Sequence, residues 1–367
     1  MRRSQHSVRE EIRRASRTAP DAIALHRAVA EALPAAVPFD RWCGLLLDPA
    51  TLMATSGYHE EGLPQHVLPR LLEIEAADAD LNGMSALART REGVSTIDRA
   101  TEGDPQRSER YRDVLEPGGL GREMRAVLRE RTSGWGGFIL FRATSDADFT
   151  DDELAFVGSI TEDVARGIRR CLLQSELAHR DGDSVPGMLV VGSGGWELEV
   201  VTAAAARWLE AIEDGSFSAG LPLAVTSVVA QARSHGDDVA RARLRVRDGR
   251  WLTLYAEAMT QGADARVAVV LEPTRPHELA AIMVEAHQLT PRERDIAQHV
   301  LLGRSTAEIA GALFLSAWTV QDHLKKVFDK VGVRSRSELA ARLYFGHYEP
   351  RIMSGVPLGA DGWFIDE

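Results

Sequence analysis

LTPRERDIAQHVLLGRSTAEIAGALFLSAWTVQDHLKKVFDKVGVRSRSELAARLYF, residues 289–345, is the stretch whose reading decides the fold. Thr290-Pro-Arg-Glu293 places a capping hydroxyl, a proline and a glutamate in the order that opens a helix. That helix turns Ile296, Val300 and Leu301 inward and stops at Gly303, a residue suited to the left-handed cap. Ser305-Thr-Ala-Glu308 is a second capping box, opening a short helix with Ile309 and Leu313 on its core face. Phe314-Leu315 makes a turn, Ser316 caps a third helix running to about Val331 and ending at Gly332, and Ser335-Arg-Ser-Glu338 opens a fourth. Four short capped helices, two of them joined by a tight turn, describe a helix-turn-helix domain. The third helix offers Val320, Leu324, Val327 and Phe328 to a core, and Thr319, Gln321, Asp322, His323, Lys325 and Lys326 elsewhere. A helix of this kind fits the major groove of B-DNA, although an ordinary four-helix unit with surface lysines has much the same composition.

Charge separates the two readings only in part. The chain of 367 residues carries a formal net charge of -11. Residues 288–345 hold 9 Lys/Arg against 6 Asp/Glu, a net of +3, which leaves 34 against 48, or -14, on the remainder. An acidic bulk repels DNA, so any contact falls on the C-terminal segment.

The quoted motifs settle the matter by resemblance. Leu289-Thr-Pro-Arg-Glu-Arg294, Gly303 to Ala310, Leu315 to Leu324 and Lys330 to Arg336 closely resemble the LuxR-type DNA-binding domain over about 57 residues without a gap. The resemblance implies that Gln321, Asp322 and Lys325 face base edges. It places Ser305, Thr306, Ser316, Thr319, Lys326, Ser335 and Arg336 near the phosphate backbone, with His323 as packing or backbone support. Two base-facing positions depart from the commoner pattern, which has Lys or Arg at 321 and Asn or an apolar residue at 322. Gln can read adenine and Asp can accept from cytosine. An aspartate among phosphates needs such a donor, or Lys325 as a partner.

Upstream, residues 1–178 open with a helix expected over Val8 to Leu33, ended by the prolines at 34 and 38. A buried strand, Cys43 to Asp48, is followed later by a hairpin of Arg125–Arg129 and Gly137–Phe141. The region closes with one long helix whose apolar residues Val157, Ile160, Val164, Ile168 and Cys171 recur at near-heptad spacing. That stripe packs on its own sheet or forms a dimer seam. Residues 179–184 read as a linker. Residues 185–273 give strands at Met188–Val191 and Leu198–Thr202, then a small-residue helix from Ala203 to Ile212. Arg241-Ala-Arg-Leu-Arg-Val-Arg247 alternates with period two, which predicts one apolar face and one solvated basic face. Asp248-Gly249 turns the chain into Trp251–Tyr255, and Arg266–Glu272 adds another strand. In order of elements the first region is similar to GAF domains, the more so for the Tyr111–Gly121 loop, and the second to PAS domains. Residues 274–288 read as a connecting helix and 347–367 as an unstructured tail.

The expected architecture is therefore multidomain: an α+β GAF-like sensor and dimerisation domain, an α+β PAS-like domain, and an all-α four-helix DNA-binding domain at 289–346. Trp42, Tyr58, Trp135, Phe138 and Phe141 are a candidate ligand pocket, or an ordinary aromatic core. No P-loop, HExxH or GxSxG occurs, and Gly118-Gly-Leu-Gly121 follows a charged helical stretch rather than a strand, so no catalytic residue, metal site or enzyme is expected. His287 and His299 lack supporting ligands. The basic start has no apolar run, and no segment approaches ~18 consecutive apolar residues, so neither a secretory signal nor a membrane span is expected. Two distant cysteines, Cys43 and Cys171, fit a reducing cytoplasm. The sequence thus predicts a cytoplasmic bacterial transcription regulator that binds double-stranded DNA as a homodimer, with RNA polymerase a further candidate partner. No cofactor is evident, and control falls to an unidentified small effector. The competing reading is a ligand sensor acting mainly through protein contacts.

Overall fold

The computed structural model describes residues 5–60, 63–64, 67–130, 133–173, 185–193, 195–212, 221–236, 238–260, 265–274 and 289–343. The chain divides into two compact units, Met1–Pro273 and Thr274–Glu367. The expected linker at 179–184, connecting helix at 274–288 (beyond Thr274) and tail at 347–367 lie outside the described residues, as does His287.

The first unit holds two antiparallel sheets. In the first, β1 (Arg41–Leu47), β2 (Ala54–Glu60), β3 (Val94–Thr96), β4 (Leu120–Glu130) and β5 (Ser133–Ala143) are ordered β2-β1-β5-β4-β3. One face is covered by helices from both ends of the region, α1 (Gln5–Thr18), α2 (Ala22–Ala32) and α7 (Thr161–Leu173). The region also carries α3 (Leu68–Ala77), α4 (Met84–Arg89), α5 (Ile97–Ala100) and α6 (Asp151–Gly158). The leading helix is two helices rather than one. Pro20 cannot continue α1, and Asp21 starts α2 by accepting from the Ala24 amide at 2.7 Å. The exit helix is likewise broken, at Ser159–Ile160. Its stripe of Val157, Ile160, Val164, Ile168 and Cys171 is buried inside the unit, at 5% exposure or less, and α7 packs on α1, so no dimer seam runs along it.

Strand alternation divides the aromatic set read as a pocket. Gly44 pairs with both Tyr58 and Phe138 across the sheet. The rings of Trp42 and Phe138 stack at 5.4 Å, with Tyr58 and His26 beside them. Gly44 is required there, since a Cβ would lie 2.6 Å from the His26 ring. Phe141 instead joins Cys43, Ile139 and Met84 in the opposite cluster, and Trp135 is 1% exposed in the core. Trp42, Trp135, Phe138 and Phe141 are buried core, on more than one face, Tyr58 is half-buried beside them, and none of the five lines the cavity of about 420 Å³ between the two sheets.

The second sheet is ordered β7-β6-β10-β9-β8, from β6 (Gly187–Val191), β7 (Leu198–Val201), β8 (Ala240–Arg245), β9 (Trp251–Ala258) and β10 (Val267–Pro273). It is packed by α8 (Ala203–Ala211) and by α9 (Leu223–Ser234), a helix the sequence reading did not anticipate. The basic face of β8 is not solvated as predicted. Arg243 is 3% exposed and grips the fully buried Asp48 of the first module through Nε at 3.0 Å, Nη2 at 2.9 Å and its backbone amide at 2.9 Å. Arg245 donates to the carbonyls of Gly249 and Cys171. The arginine stripe thus joins the two modules.

Among the described residues no helix is long and apolar enough to cross a membrane, and no cluster of three or more His, Cys, Asp or Glu could hold a metal ion. The described residues of the second unit form four helices, α10 (Pro291–Leu301), α11 (Thr306–Leu313), α12 (Ala317–Val331) and α13 (Arg336–Leu343), around Ile296, Val300, Ile309, Val320, Leu324, Val327 and Leu339.

Candidate nucleic-acid interface

The geometry of α12 follows from the turn before it. Phe314 adopts φ 54°, a left-handed conformation that ends α11, and the Leu315 amide returns to the Ala310 carbonyl at 2.9 Å. Ser316 then caps α12 by accepting from the Thr319 amide at 3.0 Å, and the two hydroxyls bond to one another at 2.8 Å. Val320, Leu324, Val327 and Val331 recur every three or four residues and are buried, which fixes the opposite face outward. Gln321, Lys325 and Lys326 are exposed there and Asp322 is half-buried. Gly332, at φ 72°, closes the helix.

For Asp322 the sequence offers Lys325 as a partner in place of a base donor, and the ion pair formed is with a different lysine. Its carboxylate accepts from Lys326 Nζ at 2.8 Å, one turn on, and not from Lys325. Both spacings are within reach on a helix, and i,i+4 is the one adopted. The Lys326 ammonium holds the Asp322 carboxyl below the usual carboxylate range, and the aspartate in turn raises Lys326. Lys325 has no ion-pair partner among the described residues and stands free for an external acceptor. His323 is half-buried with an enclosed, unpartnered Nδ1.

The residues assigned to the phosphate backbone fall at helix starts, except Lys326, which lies midway along α12. Ser305 accepts from the Glu308 amide at 3.3 Å while Glu308 accepts from the Ser305 amide at 2.7 Å, a complete capping box. Thr290 and Glu293 form another, and Glu293 also pairs with Lys330, tying α10 to α12. At the fourth helix the box is half-made: Ser335 accepts from the Glu338 amide, but Glu338 accepts from the Arg334 amide instead. A capping hydroxyl accepts with a lone pair and retains its own proton to donate outward. Arg336 reaches the Arg304 carbonyl at 2.9 Å and Thr306 Oγ1 at 3.4 Å, which brings Ser305, Thr306, Ser335 and Arg336 to one locality. Helix N-termini with hydroxyl caps and a guanidinium form an anion-accepting surface.

The sequence reading passed over two side chains here. Trp318, at the second position of α12, is 78% exposed and Phe314 is 96% exposed. For Trp318 the signal was available, since it does not fall on the buried row of Val320, Leu324 and Val327; Phe314 reads in the sequence only as part of the turn.

Residues 287–343 match the family model described as bacterial regulatory proteins, luxR family. The spore germination protein GerE of Bacillus subtilis is 38% identical over 55 residues, which cover 15% of this chain and 74% of GerE. The CsgBAC operon transcriptional regulatory protein of Escherichia coli is 41% identical over 54 residues, 15% of this chain and 25% of that protein. A Mycobacterium tuberculosis chain named as an HTH-type transcriptional regulator is 49% identical over 51 residues, yet the match spans only 6% of its length. Among solved structures, SdiA in complex with octanoyl-rac-glycerol aligns over 95% of this chain and 91% of its own, at 11% identity and a TM-score of 0.29, too low to build on. A Vibrio cholerae VqmA–ligand–DNA complex aligns over 44% and 83%, at 19% identity and a TM-score of 0.21, and adds no more. Through the helix-turn-helix module at its C-terminal end, the chain belongs to the luxR family of bacterial regulatory proteins.

Proposed function

We propose that this protein is a sequence-specific transcription regulator that reads double-stranded DNA with α12. In this reading Gln321, Asp322 and Lys325 meet base edges in the major groove, with Lys325 the free cation among them. Ser305, Thr306, Ser316, Thr319, Lys326, Ser335 and Arg336 hold the phosphates. The observation that carries it is the outward face of α12, set by a hydroxyl cap at one end and a buried apolar row behind. The spore germination protein GerE and the CsgBAC operon transcriptional regulatory protein are similar to this chain over this segment. Two copies acting together place two recognition helices on half-sites about one helical turn apart. Residues 5–273, GAF-like and then PAS-like in element order, act as the sensor, and an effector works by binding one state of the dimer better than another.

Genomic DNA captured by the purified full-length chain tests this. Enrichment of a short inverted repeat is expected. Capture that is weak, uniform across sequence and abolished by moderate salt would mean the acidic remainder keeps the module from specific binding.

A further inference from the structure

Between the two sheets of the first unit lies a cavity of about 420 Å³, within the range of small-molecule sites. Its two walls differ in kind. The first module supplies an apolar wall that includes Leu45, Leu68, Leu71, Met84 and Ile139. The second supplies one row of α9 and its C-terminal continuation: Leu223, Ser227, Gln231 and His235, each four residues on from the last. The other rows of α9, with Val225, Val228, Val229 and Ala232, are core of the second sheet.

Two modules meant only to pack on one another would carry apolar side chains along that row. Ser227 is instead 7% exposed, and its Oγ is enclosed without a hydrogen-bond partner. The neighbouring Thr226 hydroxyl, by contrast, is satisfied by the Leu223 carbonyl at 2.9 Å. An orphaned buried hydroxyl is destabilising unless something bonds to it. Gln231 spends its amide nitrogen on His235 Nδ1 at 2.9 Å, which leaves its carboxamide oxygen unused. The buried charge on the cavity wall is matched, Glu75 with Arg125 at 2.6 Å, while Asp78, Arg89 and Asp238 lie toward solvent. A charged group placed among the buried residues would have to break the Glu75–Arg125 pair. Burial pushes the Cys43 thiol up to about 12, so at neutral pH it is an uncharged part of the wall.

We infer that the cavity binds a neutral, largely apolar small molecule, its body against the leucine-rich wall and one amide or hydroxyl group against Ser227 and Gln231. The inference rests on the sensor reading of residues 5–273 and is independent of DNA binding. Leu223 is part of the first module's core and Met53 packs on the second's, so a molecule held between the walls contacts both modules where they interlock.

The test uses the full-length chain and two probes of similar body, 2-naphthamide and naphthalene, measured by equilibrium dialysis. One 2-naphthamide per chain is expected, bound about tenfold more tightly than naphthalene, the contribution of one good hydrogen bond. Ser227→Ala with Gln231→Leu, which places apolar atoms beside a void, should bring the two probes to parity while retaining naphthalene. Leu45→Trp should narrow the cavity and weaken both, in protein whose circular dichroism is unchanged. If neither probe binds, or the amide preference survives the double substitution, the ligand class assigned here is wrong. If both probes bind and ignore every variant, the cavity is the wrong site, while a sensor role elsewhere in the unit stands.

Discussion

The helical module at 289–343 and the two-sheet unit before it are held together by different physics. In the module the polar bonds that start and end each helix are local, with Glu293–Lys330 and Arg336 to the Arg304 carbonyl as longer ties. Ser305, Ser316 and Ser335 each accept from an amide three residues on, and glycines at 303 and 332 take the left-handed conformation at helix ends. In the unit the decisive polar contacts are buried, and most of them join residues distant in sequence. Asp48 meets Arg243 across 195 residues. Arg110 meets Asp80 and Glu123, while Arg125 meets Glu123 and Glu75, with both arginines 2% exposed or less. Local caps suit a small element whose outer face must stay exact for a partner. Buried ion networks suit a joint between modules, because they are strong only when every member is in place.

The largest expected effect tests that joint. Arg243→Ala strands the Asp48 carboxylate and should destabilise the first unit by about 3–5 kcal/mol in a urea melt. Replacing the pair by Arg243→Met with Asp48→Leu should restore most of the loss. A deficit under about 1 kcal/mol, the range of exposed pairs, would remove the contrast drawn between the two regions.

A smaller effect depends on pH. His26 is 1% exposed and stacked near Phe138, and burial holds its imidazole down to about 4. Between that value and the ordinary 6.5 the unfolded chain binds a proton that the folded chain does not. Stability is therefore full above pH 6.5 and falls as pH drops toward 4, by about 2 kcal/mol at pH 5. His26→Phe should flatten this slope in melts taken at pH 7 and pH 5, and an unchanged slope would assign it to other groups.

The same contrast governs what could be read from residues alone. The four helices, their hydroxyl caps and the outward row of α12 were legible because each signal lies within a few residues of its consequence. The third capping box was only half right, since Glu338 found the Arg334 amide one residue earlier, and Asp322 took Lys326 over Lys325. In the two-sheet unit the strands were legible from alternation, but their partners were not. Nothing near Arg243 announces Asp48, so a basic stripe looked solvated. Helix α9 was missed because it is buried nearly all round, polar residues included, and rich in β-branched residues, which blurs the periodicity by which an amphipathic helix is recognised. Pro20 was a plain break that the longer apolar pattern concealed.

The central claim is that α12 reads base sequence, and Lys325 is its most exposed commitment. The affinity of the full-length chain for its enriched inverted repeat and for an unrelated duplex, compared with Lys325→Ala at two salt concentrations, tests it most directly. The account predicts a loss on the order of tenfold at the repeat and little change on the unrelated duplex. An equal loss on both, with a shallower salt dependence, would make Lys325 a phosphate contact and contradict the assignment of that face to base readout.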